Sequence, residues 1–258
     1  MAAGHKLDKD MELQRFADIG FEDFRRMARD VSLSPIEKVG FPDHYRAGKE
    51  EAIFADIRSK VRKLDKQGVR VLDIGPGCSA LPHMLITGCL ATGGWISLVD
   101  SAEMLALLPD GAGIEKFACR FPQCPQLLER CRGQMDVILC YSMLHYIFAE
   151  GNVWDFLDQG LQLLAPGGEM LIGDIPNISM RKRFFSSDTG VRFHQSFTGR
   201  DEIPQVRFSC PEPGKIDDAV IFALLQRARG QGFDAYVLPQ ADGLPMANRR
   251  EDILIRRP

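Results

Sequence analysis

The stretch Val69-Arg-Val-Leu-Asp-Ile-Gly-Pro-Gly77 constrains this chain more than any other. It reads as a buried strand, Val69 to Ile74, that runs into a glycine turn and then a helix. Gly75 and Gly77 have no Cβ, so a ligand can approach the backbone closely there. Asp73 sits at the carboxyl end of the strand, just before the glycines. A second acid, Asp100, closes the next apolar run, Trp95-Ile-Ser-Leu-Val99. Together they point to a nucleoside-bearing cofactor held at the strand ends of an α/β sheet.

Strand and helix signals alternate from there. Strands are expected at Val69–Ile74, Trp95–Val99, Ile114–Ala118, Met135–Cys140, Glu169–Ile175, Phe233–Leu238 and Ile253–Arg256. Helices are expected at Ser79–Leu90, Ala102–Leu108, Gln126–Arg132, from an Asn152 cap to the stop at Pro166-Gly-Gly168, and at Ile216–Arg229. Before the first strand, residues 11 to 31 show a helical pattern broken at Gly20, and Lys49–Leu64 reads as an amphipathic helix. Residues 177 to 214 carry Gly, Pro, Ser and charge with few periodic apolar positions, and read as an insertion. The β–α alternation implies a mainly parallel sheet with helices on both faces.

At 258 residues the chain is long enough for one large α/β domain, or for one domain with a small cap. A net charge of −3 gives no global basic field, so no nucleic-acid partner is expected. No apolar run approaches the length of a membrane span, and residues 1 to 10 lack the apolar core of a signal peptide. The seven cysteines form no Cys-x-x-Cys pair, which fits reduced thiols in a cytoplasmic protein, and no metal site is expected.

The order of motifs resembles the class I S-adenosylmethionine-dependent methyltransferases. Val71-Leu-Asp-Ile-Gly-Pro-Gly77 looks like that family's first motif, and Leu98-Val-Asp-Ser101 with Met104-Leu105 looks like its second. Met135 to Tyr146 resembles the fourth-strand segment. Leu163 to Gly168 with Met170-Leu-Ile172 resembles the helix-turn-strand that follows. Gly232 to Val237 and Ile253-Leu-Ile255 resemble the closing antiparallel hairpin. The resemblance implies a doubly wound, Rossmann-like, seven-stranded sheet over residues 65–258, mainly parallel with an antiparallel C-terminal strand. Residues 1–64 then form an N-terminal helical cap. The implied cofactor is S-adenosylmethionine, with S-adenosylhomocysteine as its product. One departure stands out: Cys119 and Arg120 occupy the place where the family usually has an acid near the adenine amine.

The resemblance implies roles for particular residues. Asp73, Gly75, Pro76 and Gly77 serve the methionyl end, although Asp73 can instead bond only loop amides. Asp100 takes the ribose hydroxyls; its bland alternative is a helix N-cap. Ser101 and Met104 pack the adenosine, beside Cys119 and Arg120. Cys140 and Tyr141 end the fourth strand near the emerging methyl group, and Tyr45 can flank the sulfonium with its aromatic face. His145 and His194 are candidate general bases, each with a structural or solvated alternative. Asp174 and the insertion's Arg181, Arg183 and Arg192, beside Lys182 and Arg200, are candidate contacts for an anionic substrate.

No Asp/Asn-Pro-Pro-Tyr/Phe/Trp motif follows the fourth strand, which argues against amino-methyltransferases of nucleic-acid bases and glutamine. The Phe41–Phe54 run resembles methyltransferase-like proteins of bacterial surface-sugar pathways. The expected substrate is therefore a small, polar, anionic molecule, a sugar or sugar nucleotide, methylated on oxygen in preference to nitrogen. Gly75-Pro-Gly77-Cys-Ser-Ala80 with Asp100 also fits a dinucleotide pattern, so an NAD(P)-dependent oxidoreductase is one rival. A non-catalytic S-adenosylmethionine-binding subunit is the other. Oligomeric state is left open, a homodimer included.

Overall fold

Seven apolar segments pair into a single sheet in the computed structural model, which describes Phe16 and residues 19–258. They are β1 (Arg70–Ile74), β2 (Trp95–Asp100), β3 (Ile114–Ala118), β4 (Met135–Tyr141), β5 (Leu164–Pro176), β6 (Asp234–Pro239) and β7 (Arg250–Arg256). Their order is β3-β2-β1-β4-β5-β7-β6. The first five pair in parallel, and β7 runs antiparallel between β5 and β6. The described helices are α1 (Phe21–Arg29), α2 (Pro35–Lys38), α3 (Asp43–Arg46), α4 (Glu50–Lys60), α5 (Ala80–Ala91) and α6 (Ala102–Leu105). They continue as α7 (Pro125–Cys131), α8 (Leu144–Glu150), α9 (Val153–Leu163), α10 (Ile178–Phe185), α11 (Asp188–Thr198) and α12 (Asp218–Gly230).

Side chains along the central strands alternate between two cores. Val71, Ile96, Leu98, Val137 and Leu139 pack with Ile53 and Ile57 of α4 and Leu81, Leu85 and Ile86 of α5. Leu72, Ile74, Ile138 and Cys140 pack with Phe156, Leu157 and Leu161 of α9 and Ile221, Leu224 and Ala228 of α12. Every residue of β4 is buried, as a strand covered on both faces must be. The Asn152 side chain caps α9, accepting from the Trp154 and Asp155 amides at 3.0 and 3.3 Å. Phe156, fully buried on that helix, would cost roughly 3–5 kcal/mol as alanine.

The structure departs from the expectations at several places. β5 starts at Leu164 and carries the Pro166-Gly-Gly168 turn within it, because Leu164 already pairs with Met135 before a register shift. Leu144–Glu150, where the sequence reading expects no helix, forms α8, with Leu144 and Ile147 buried. The insertion is helical in its first half: Asn177 and Ser187 cap α10 and α11. Phe184 and Phe193 hold the two together edge to face at 5.6 Å. Few aliphatic positions mark these helices, because aromatic rings supply their apolar contacts. Cys119 and Cys124 form a disulfide with Cα atoms 5.8 Å apart, which corrects the reading of all seven cysteines as reduced thiols. The helical pattern expected over 11 to 31 is seen from Phe21 on; residues 11–15, 17 and 18 lie outside the described residues.

No helix among the described residues is long and apolar enough to cross a membrane. No group of three or more His, Cys, Asp or Glu among the described residues is placed to hold a metal ion.

Candidate functional site

The carboxyl ends of β1, β2 and β4 open onto one cavity. β1 leaves the sheet through Gly75 (φ +70°) and Gly77 (φ +67°), a conformation that costs other residues strain. The Gly75 amide donates to the Val99 carbonyl at 2.8 Å, tying the turn to β2. A Cβ on Gly75 would sit 2.6 Å from the Met143 side chain, so the turn and the segment after β4 approach as closely as glycine permits. The Gly77 amide donates to Asp100 Oδ2 at 3.2 Å, and the Ser101 amide donates to Asp100 Oδ1 at 2.7 Å. Asp100 thus braces the glycine turn from the end of β2.

Two carboxylates in this cavity have no ion-pair partner among the described residues. Asp73 is only 3% exposed, and no hydrogen bond among the described residues ends on its side chain. Burial, and then the charge of Asp100, push its pKa up to about 8. Burial raises Asp100 to about 6 against the opposing backbone hydrogen bonds from Ser101 and Gly77. Such a pair favours a ligand that brings a cationic group and hydroxyl donors.

The cavity holds about 60 Å³ and is lined by Asp73, Gly75, Pro76, Gly77, Asp100 and Met104 from the sheet side. From the other side come Phe21 and Phe24 of α1, Phe41, Arg46 of α3, and Tyr141, Ser142, Met143 and Tyr146. A second lobe of about 50 Å³ shares Phe24, Gly75, Asp100, Met143 and Tyr146, and reaches Cys119, Arg120 and Phe121. The Phe24 ring meets Tyr146 edge-on at 5.0 Å, so α1 forms a lid across both lobes. Neither lobe alone is nucleoside-sized, and the residues they share join the two.

The remaining candidates fall in different places. Ser101 caps α6 through its hydroxyl, accepting from the Met104 amide at 3.2 Å, and does not line the cavity. Cys140 is fully buried in the core beside α9, and burial pushes its thiol well above the ordinary value. Cys119 is held in the disulfide, and Arg120 pairs with Glu150 at 2.9 Å, with Phe21 5.6 Å from its guanidinium. Tyr45 lies outside the main cavity, in a crevice with Gln240, Leu244 and Met246; Phe41 is the aromatic from this segment that faces the acids. Arg183 is paired with Asp218 at 2.5 Å, and Arg192 is exposed beside Thr189. His194 borders a separate cavity of about 520 Å³ together with Lys182, Ile203 and Arg207.

Asp174 is committed within the protein. Its carboxylate accepts from Arg250 at 2.6 Å and from the Ser142 hydroxyl in a short contact. Arg46, in turn, donates to Ser142 at 3.2 Å. Gln240 reaches Asp174, Asp252 and the Tyr141 hydroxyl, and Lys60 bridges Asp252 and Asp56. Ser142 (φ 59°) and Asp174 (φ 57°) both hold left-handed backbone, which costs of order 1–3 kcal/mol each. The network fixes these two bends against that cost. Arg46, Gln240 and Arg250 escaped the sequence reading, because no motif marks them and only the fold brings them together.

Beyond Tyr146 lies a further cavity of about 420 Å³, lined by His145, Tyr146, Asn177, Arg181, Lys215, Arg249 and Arg250. His145 is held neutral: burial, and then Arg250, depress its pKa to about 3, and its Nδ1 is buried without a hydrogen-bond partner. Of the basic residues expected in the insertion to contact an anion, Arg181 alone lines this cavity.

No family model matches the chain, and no curated protein matches it in sequence. Among solved structures, 379 chains match. The CurJ carbon methyltransferase aligns with 96% of this chain and 66% of its own length, at 17% identity and a TM-score of 0.57. The plantazolicin methyltransferase BamL, solved with a triazolic desmethylPZN analogue and S-adenosylhomocysteine, covers 96% and 98% at 13% identity and 0.56. The N-methyltransferase NodS of Bradyrhizobium japonicum, solved with S-adenosylhomocysteine, covers 93% and 100% at 14% identity and 0.54. The fold is that of the S-adenosylmethionine-dependent methyltransferases. Carbon and nitrogen methyltransferases both share it, so the fold leaves the acceptor atom open.

Proposed function

We propose that this protein transfers a methyl group from S-adenosylmethionine to a small acceptor bearing an anionic group. The observation that carries this reading is the buried pair Asp73 and Asp100, with no ion-pair partner among the described residues, flanking a glycine turn at the strand ends. Asp73 receives the ammonium of the methionyl end, and Asp100 the ribose hydroxyls. Gly75 and Gly77 let the backbone lie against the ligand, and Met104 packs the adenosine. Phe121, with Cys119 and Arg120 beside it, borders the lobe assigned to adenine.

When bound, S-adenosylmethionine supplies a methyl group on a sulfonium, a strong electrophile. The chain then has to align an acceptor atom with it and keep water out. Phe21, Phe24 and Tyr146 do the second, as the aromatic lid over the acids. His145 serves the first. At a pKa near 3 its ring accepts a hydrogen bond from an acceptor hydroxyl better than it takes the proton outright. This favours oxygen as the acceptor atom, in a polar molecule such as a sugar or sugar nucleotide. In this reading residues 1–64 form the cap, residues 65–258 the catalytic unit, and 177–214 a wall for the acceptor.

Calorimetric titration tests the reading. Micromolar binding of S-adenosylhomocysteine to the wild type, lost in Asp100→Ala, is the expected outcome. Binding of NADH in place of S-adenosylhomocysteine would overturn it and make the glycine turn a dinucleotide site.

A further inference from the structure

The 420 Å³ cavity beyond Tyr146 is lined by more positive charge than the protein neutralises. Its cations come from four places in the chain: Arg181 on α10, Lys215 on the loop before α12, Arg249 ahead of β7, and Arg250 within it. Arg250 is paired with Asp174. Arg181, Lys215 and Arg249 have no carboxylate partner among the described residues. The nearby acids are already engaged. Glu150 pairs with Arg120, Asp218 pairs with Arg183 and accepts from Asn177, and Glu251 accepts from Asn177.

The cations are also held in position. The Arg249 guanidinium lies 5.7 Å from the Phe185 ring centre and 5.6 Å from that of Phe193, and Arg181 lies 5.8 Å from Phe185. Two guanidinium groups thus share one aromatic ring, and their like charges meet where burial already depresses the Arg249 pKa. Ring contacts fix the direction of these groups without neutralising them. The same cavity is bordered by His145, whose buried Nδ1 lacks a hydrogen-bond donor.

We infer that this cavity is an oxyanion site, in which Arg181, Lys215 and Arg249 grip a phosphate or carboxylate of the acceptor while His145 Nδ1 accepts from a hydroxyl or N–H of the same molecule. Only the word acceptor rests on the methyltransferase reading; the anion site stands on its own residues. Arg249 and Arg181, planar and preset by the rings, suit two-pronged contact with oxygen pairs, and Lys215 closes the mouth from the loop.

The test is calorimetric titration of the full chain, saturated with S-adenosylhomocysteine, with pyrophosphate in one arm and citrate in the other at constant ionic strength. The expected result is saturable binding of at least one of them, weakened about tenfold in Arg249→Gln and in Lys215→Gln, as the loss of one charge-assisted contact predicts. Preference for pyrophosphate assigns a phosphorylated acceptor, and preference for citrate a carboxylate. Lys215 is exposed on a loop, so its variant keeps the test valid even where Arg249→Gln disturbs folding. Absence of saturable binding in the wild type, or equal binding in the wild type and Lys215→Gln, overturns the proposal. Should S-adenosylhomocysteine fail to bind while pyrophosphate or citrate behaves as expected without it, the methyltransferase reading falls and the anion site stands.

Discussion

Replacing Asp73 by Asn is expected to stabilise the ligand-free protein and to do so more strongly as the pH rises. Asp73 titrates near the ordinary 3.8 in the unfolded chain and at about 8 in the fold. Between those values the folded protein keeps a proton that the unfolded chain has released, so stability falls with rising pH. Each pH unit within that window costs about 1.4 kcal/mol. From pH 5 to pH 8 the loss accumulates to roughly 4 kcal/mol, and Asp73→Asn is free of it. For a chain of this size the melting temperature of the variant should gain on that of the wild type by roughly 10 °C over that range. Differential scanning calorimetry of both proteins at pH 5, 6, 7 and 8 measures the gap. S-adenosylhomocysteine should bind the variant at least tenfold more weakly, since about 1.4 kcal/mol of ammonium contact is lost. A gap that stays constant with pH would refute the reasoning, because it would place the Asp73 carboxyl in water or against an unseen cation.

Four other outcomes are expected. Gly75→Ala should cost at least 1 kcal/mol in urea unfolding, roughly the strain of a left-handed alanine, with more from the contact with Met143. Arg250→Gln leaves the Asp174 carboxylate buried without its cation, and urea midpoints should report a loss of roughly 3–5 kcal/mol. The His145 ring should stay neutral in NMR titrations down to about pH 4; its folded pKa of about 3 lies below the ordinary 6.5, so its contribution to stability fades as pH falls below 6.5. Iodoacetamide should label only Cys210 quickly in the folded protein, since Cys78, Cys89, Cys131 and Cys140 are buried. After unfolding without reductant, mass spectrometry should find those five thiols labelled, and label on Cys119 or Cys124 would remove the disulfide.

The sheet was legible because burial on both faces leaves a direct mark. Ile138 and Leu139 lie in an unbroken apolar run, Val71 and Leu72 in a run interrupted only by Arg70 and Asp73, and Asn152 announces its helix by the chemistry of capping. The glycine turn with Asp73 and Asp100 was legible for the same local reason. What escaped depends on contacts between distant segments. Arg46 and Arg250 gain their meaning from Ser142 and Asp174, which lie about a hundred and about eighty residues away respectively in the chain. Cys119 and Cys124 carry no spacing signal for a bridge; the turn between β3 and α7 brings their Cα atoms within 5.8 Å. Tyr45 and Phe41 are equally aromatic in sequence, and only the direction of the chain entering α3 decides which of them faces the acids. In α10 and α11, aromatic pairs replaced the aliphatic stripe on which helical periodicity is usually read.

The two cavities carry opposite electrostatic burdens, separated by Tyr146, which borders both. On one side Asp73 and Asp100 are buried acids, and on the other Arg181, Lys215 and Arg249 are cations; none of the five has an ion-pair partner among the described residues. The buried Arg250–Asp174 pair shows the alternative, an acid and a cation that neutralise one another inside the protein. That pair lies between the two groups and, with Gln240 and Asp252, anchors the bends at Ser142 and Asp174. Leaving these groups unpaired destabilises the ligand-free chain but leaves each cavity selective. A cationic, hydroxyl-bearing ligand gains most on the acid side, and an oxyanion gains most on the basic side. Two ligands of complementary charge would then meet at Tyr146, so binding of each should strengthen the other through the charge it brings. Titrating pyrophosphate with and without S-adenosylmethionine, whose sulfonium carries the charge, measures that coupling, and equal affinities in the two titrations would show that the cavities act independently.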